Sequence, residues 1–189
     1  EYVALFGGAG TADDRSRVFF TSGQNLSIGN VGNFNDGYGA PKYRNKTSTG
    51  QDGSDKEFVD TDFPMFRLAD AYLISAEATL RGGGGTRADA LTYVNLLRQR
   101  AYGDNSGNIT DAELTLTFLR DERGRELFWE AHRRRDLVRF DQFTANCIWQ
   151  WKGGVQPGKV TETFRNLYPL PSSELLANPN LKQNPGYGT

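Results

Sequence analysis

Cysteine, histidine and methionine each occur once in 189 residues, at Cys147, His132 and Met65. A lone cysteine excludes an intrachain disulfide and any thiolate metal cluster, and reads as a small, partly buried side chain. A single imidazole leaves a zinc site without its second histidine, so neither a metal nor another cofactor is expected. No apolar run reaches the ~18 residues that a membrane-spanning helix requires, and no signal peptide is legible. The chain opens at Glu1, without Met, directly in apolar YVALF. This start reads as that of a processed chain or a piece of a longer one. Neither charge sign dominates: 22 Lys and Arg face 23 Asp and Glu, a net charge of −1. That balance argues against a phosphate-binding surface over the whole molecule and leaves a local patch open; no nucleic-acid partner is expected.

Glycine, by contrast, is plentiful at 22 residues, which points to long loops between ordered elements. Residues 1–60 read as loop-rich. RVFFTSG (17–23) suits a short strand, and GNVGNFNDGYGAPKY after it is turn-building. From 61 to 142 the pattern is helical. Met65, Ala69, Tyr72, Leu73, Ala76 and Leu80 recur at steps of three and four, with Asp62 and Pro64 at the start and Gly82–Gly85 as the stop. Thr86 and Asp89 have capping-box spacing ahead of a second stripe, Ala90, Leu91, Val94, Leu97 and Ala101. So short a linker makes the two helices an antiparallel hairpin. TDAE at Thr110–Glu113 repeats the capping spacing and is expected to open a third, longer helix through the arginine run. Residues 143–189 are irregular again, with one short helix expected at Ser172–Ala177. The fold class is mainly α.

WEAHRRRDLVRF (129–140) is the densest charged stretch. On a helix, Glu122, Glu126 and Glu130 stack within the apolar stripe of Leu119 and Leu137, and buried carboxylates need partners. Candidates are Arg125, Arg133 and Arg134 on the same helix, with Arg67 and Glu77 from the first and Arg98 and Arg100 from the second. Together with Asp136 these read first as a structural ion-pair lattice. A nucleic-acid grip is disfavoured because acids alternate with the bases and no stacking aromatics intervene. His132 has only Asp136 at i+4 as an orienting group, so it reads as a hydrogen-bonded helix histidine and not as a catalytic one. GGGG lacks the Lys-Ser/Thr of a phosphate loop. No enzyme motif emerges.

In order along the chain, FPMFRLADAYLISAEA, ALTYVNLLRQRA, DERGRELFWEAHRRRDLVRF and YPLPSSELLANPNLKQNPGY resemble the C-terminal half of SusD/RagB-type proteins, and DDRSRVFF and GYGAPKYRN resemble the segments preceding them. The likeness covers nearly the whole chain. It departs from the family pattern at Ala131, where Gly is usual, at Arg134, where Trp often stands, and at Asp70 in place of Glu. The resemblance implies a tetratricopeptide-like helical scaffold decorated by irregular loops. It also implies a surface-exposed lipoprotein of the Bacteroidetes outer membrane, anchored upstream of Glu1. Such proteins are not enzymes: they capture oligosaccharides as lids on a TonB-dependent, SusC-like transporter.

Sugar recognition rests on aromatic faces against pyranose rings, with polar groups on the hydroxyls. Two loops carry those ingredients: NFNDGYG, with Phe34 and Tyr38, and WQWKGG, with Trp149 and Trp151. If extended, the second loop points both indoles the same way. They then either form a platform or pack beneath the loop to fix it. A helical-repeat adaptor that binds protein and no sugar is the alternative function.

Overall fold

The computed structural model describes residues 1–188 and divides into two units, residues 1–133 and residues from 134 onward. It is mostly helical: α1 (Tyr2–Leu5), α2 (Leu68–Leu80), α3 (Arg87–Tyr102), α4 (Leu116–Glu126), α5 (Arg133–Arg139) and α6 (Ser172–Ala177). The described residues hold isolated β-bridges and no strand. RVFFTSG is not the strand its composition suggested. Asp13 accepts from the Arg15 backbone N–H and turns Asp14–Val18 into a 3-10 helix, leaving only a Phe20–Gly39 bridge.

The first unit is built on the α2–α3 hairpin. α2 closes in a Schellman motif: Gly82 is left-handed (φ 90°), and the Gly83 and Gly82 N–H groups donate to the Ala78 and Thr79 carbonyls at 2.8 and 3.1 Å. Thr86 then caps α3, its hydroxyl accepting from Asp89 N–H. Ala69, Leu73 and Ala76 meet Ala90, Val94 and Leu97, and Ile109, Leu114 and Leu119 complete the core. Leu73, Val94, Leu114 and Leu119 are sealed from solvent, each worth about 1.5–3 kcal/mol of burial. Tyr72 and Tyr93 stack across the hairpin with ring centroids 4.8 Å apart. Met65, expected on the buried stripe, is 72% exposed and precedes α2. The helix starts only after an extended Arg67 (φ −148°, ψ 157°).

Arg67 is the N-cap of α2, a position that ordinarily takes β-region backbone, and its side chain is committed elsewhere. It donates to Glu126 Oε1 and Glu130 Oε2, both at 2.6 Å, and to the Glu126 carbonyl at 2.5 Å. Lys42 Nζ donates to Glu130 Oε1 at 2.6 Å and to the Phe128 carbonyl at 2.5 Å. In a continuous helix those two carbonyls would accept from the amides of residues 130 and 132. Diverted to side chains, they end α4 at Glu126, and Trp129 and Ala131 both turn left-handed (φ 59°) before α5 begins. The single long third helix read from the sequence is therefore two helices, and His132 lies in the link between them, not in a helix. The helix also starts later than expected. Glu113 accepts from the Thr110 N–H and hydroxyl in a local turn, and Thr115 is the cap of α4.

The acidic ladder lies at the centre of this unit. Glu122 accepts from Arg15 and Arg98 at 2.9 Å and from Arg125 at 2.8 Å. Glu126 accepts from Arg15 at 2.8 Å and from Arg67 and Arg100 at 2.6 Å. Burial alone would push both carboxyls up. For Glu122 the guanidinium charges of Arg15, Arg125 and Arg98 outweigh it and hold the group below its usual range. For Glu126 the hydrogen bonds from Arg100 and Arg67, with the Arg15 charge, bring the pKa down to about 2. Arg15, Asp13 and Lys42 were missing from the residues expected here, because no helical spacing links them to the ladder. Arg133 turns away from Glu130 and pairs with Glu1 at 2.7 Å. Glu77 accepts from Arg81 at 2.8 Å, and Asp70 from Arg123 at 2.8 Å.

Candidate functional site

In the second unit the chain runs from α5 into an irregular loop and returns as a proline-punctuated tail. The tail is held by amides reading backbone. The Gln183 amide accepts from Leu170 N–H at 2.8 Å and donates to the Leu170 carbonyl at 3.0 Å. Asn184 donates to the Tyr168 carbonyl at 2.7 Å, and the Tyr187 hydroxyl to that of Leu167 at 2.8 Å. Tyr187 also meets Phe164 edge-on, with centroids 4.9 Å apart.

The loop is fixed from inside by Lys152, which is 4% exposed. Its ammonium donates to the Cys147 carbonyl at 2.6 Å and the Thr144 carbonyl at 3.2 Å, and lies 4.8 Å from the Trp149 ring centroid. Gly158 is required for closure: a Cβ there would sit 2.1 Å from the Trp149 carbonyl oxygen, and its φ is +75°. Trp151 is itself left-handed (φ 67°), so the segment is not extended and the alternation expected to align the two indoles does not operate. The turn nonetheless delivers both to one place.

That place is a cleft of about 550 Å³, whose walls include Trp149, Trp151, Phe143, Tyr168 and Tyr187. Both tryptophans are half-buried and line the cleft. Phe143 and Trp149 contact with centroids 6.1 Å apart. Arg134 lies 3.7 Å from the Tyr168 centroid and 4.8 Å from that of Phe143, a cation held between two rings. Asp136, expected in the lattice, pairs with Arg139 at 2.9 Å in this same unit. Phe143, Tyr168, Tyr187 and Arg134 were not picked out from sequence. The only available hints were the YPLP and NPGY turns, which give no sign that their tyrosines share a wall.

Phe34 and Tyr38 belong to the first unit. Their loop is gathered around Asp36, which accepts from the N–H groups of Gly29 and Asn30 at 3.0 and 2.8 Å and from the Asn25 and Asn33 amides at 3.2 and 3.1 Å. Those bonds, that from Asn30 foremost, hold the Asp36 carboxyl below its usual range. Phe34 is 87% exposed at the tip, whereas Tyr38 is half-buried. Among the described residues no group of three or more His, Cys, Asp or Glu is arranged to hold a metal ion.

A sequence model of the SusD family matches residues 15–187. The chain belongs to the SusD family. It is 40% identical over 181 residues to the starch-binding protein SusD of Bacteroides thetaiotaomicron, covering 93% of this chain and 31% of that protein. Its fold is that of the superfamily. A SusD superfamily protein from Bacteroides thetaiotaomicron superposes over 97% of this chain and 39% of its own, with a TM-score of 0.68 at 24% identity. Surface glycan-binding protein A from the same organism, solved with laminarihexaose, matches 71% of this chain and 27% of its own, with a TM-score of 0.55 at 28% identity. The chain thus spans about a third of the SusD relative's length. The left-handed backbone at Ala131 is one that glycine adopts without strain.

Proposed function

We propose that this chain is the C-terminal part of a cell-surface glycan-binding protein. It captures oligosaccharide or polysaccharide at the Bacteroidetes outer membrane and passes it, unmodified, to a TonB-dependent, SusC-like transporter. Residues 1–60 supply loops, 61–142 a tetratricopeptide-like scaffold, and 143–189 the irregular C-terminal loop and tail, which holds Trp149 and Trp151. The aromatic cleft of the second unit carries this reading within a family that includes a starch-binding protein. Trp149 and Trp151 provide apolar faces for pyranose rings, and the surrounding polar groups reach hydroxyls. Phe34 and Tyr38 add a second aromatic contact from their loop. Lipid anchoring of the natural-length protein keeps the site at the cell surface.

A protein-binding helical scaffold without a sugar ligand is the second reading. Five exposed apolar side chains within eleven residues, Phe58, Phe63, Met65, Phe66 and Leu68, favour it, since apolar groups in water invite a partner. Native affinity electrophoresis of the natural-length protein through a panel of glycans separates the two. Retardation by at least one glycan is expected; none, with the protein shown to be folded, transfers the case to the scaffold reading.

A further inference from the structure

The aromatic cleft carries a charge that stacking on neutral sugar does not call for. Its lining holds four cationic side chains, Arg134, Lys152, Lys159 and Arg165, against one carboxylate, Glu162. The chain as a whole is net −1, so this excess is local. Arg134 and Lys152 are spent structurally: Arg134 donates to the Arg165 and Asn166 carbonyls at 2.8 and 3.3 Å, and Lys152 to the two carbonyls described above. Carbonyl dipoles satisfy the hydrogen bonds of Arg134 but leave its positive charge in place, next to the rings.

Lys159 and Arg165 are the reachable pair. Lys159 is exposed, and its stem lies along Gly153, where a Cβ would fall 2.7 Å from Cγ and 2.8 Å from Cε. The missing side chain at Gly153 thus lets the lysine run along the cleft. Arg165 Nε is 2.7 Å from Glu162 Oε2, both side chains being at least half exposed. Such a pair is worth little in water and readily exchanges its carboxylate for that of a ligand.

We propose that this cleft takes an acidic glycan, its rings against Trp149 and Trp151 and its uronate carboxylate or sulfate ester held by Lys159 and Arg165. The proposal rests on the glycan-binding reading above and narrows it to a substrate class. Positive charge beside an aromatic wall in a half-enclosed cleft raises the local concentration of anionic ligand and strengthens its capture.

Isothermal titration of the natural-length protein with a uronate oligosaccharide, a sulfated oligosaccharide and neutral gluco-oligosaccharides of equal length tests it. At least one acidic ligand is expected to bind about tenfold or more tighter than any neutral one, and to weaken as salt rises from about 50 to about 500 mM. Lys159→Gln, at an exposed side chain, is expected to reduce acidic affinity about tenfold and to affect neutral affinity far less in protein shown to be folded. The preferred acidic arm tells uronate from sulfate. Neutral sugars binding as tightly as acidic ones, and losing affinity with Trp151→Ala, would overturn the acidic assignment while sparing the glycan-binding reading. Failure of every sugar to bind folded protein overturns both.

Discussion

Glu126 takes hydrogen bonds from three guanidinium groups that come from three separate stretches of sequence, the 3-10 helix after α1, the start of α2 and the end of α3. Removing it leaves Arg15, Arg67 and Arg100 with a shared partner gone in a partly buried setting. Breaking a buried pair from one side costs about 3–5 kcal/mol. Glu126→Ala should therefore lower the melting temperature sharply, with glycan affinity preserved in protein that remains folded; calorimetry and titration on the same samples check both. Ala131 works in the opposite direction. At φ 59° an alanine is strained by about 1–2 kcal/mol, and glycine is not. Ala131→Gly should raise the melting temperature by a few degrees, and a fall would show that the strain is relieved in some other way.

The α2–α3 hairpin was legible in the sequence because its determinants are local: two stripes at helical spacing, a glycine stop and a capping threonine. The break between α4 and α5 was not legible. It depends on Lys42 and Arg67 taking the Phe128 and Glu126 carbonyls, and neither residue is near that break in sequence. The same physics hid Arg15, which reaches Glu122 and Glu126 from more than a hundred residues away. In the second unit the tryptophans stood out by composition, while the tail that carries Tyr168 and Tyr187 is held by amide clamps from Gln183 and Asn184. The ladder also sets an acid limit for the element it locks. Glu126 titrates at about 2 when folded against an ordinary 4.5. A folded pKa below the unfolded one contributes stability that is present above the unfolded value and lost as pH falls through the folded one. Thermal stability should accordingly decline as pH drops from about 4.5 towards 2. The decline should be shallower in Glu126→Gln, and a flat profile in the parent protein would contradict the assignment.

At the scale of the whole molecule, the two units are built in different ways. One unit is a helical hairpin and short α4 tied by buried charge, and the other is a loop-and-tail unit whose aromatic side chains surround an open cleft. That division predicts that stability and ligand affinity respond to different residues, the first to the glutamate ladder and the second to the tryptophans. The most direct test is the dissociation constant of the natural-length protein for its best-retarded glycan, measured with and without Trp151→Ala at matched melting temperature. The account predicts a loss of about tenfold or more. Equal affinity in the two proteins would contradict it and remove the cleft from the sugar-binding surface.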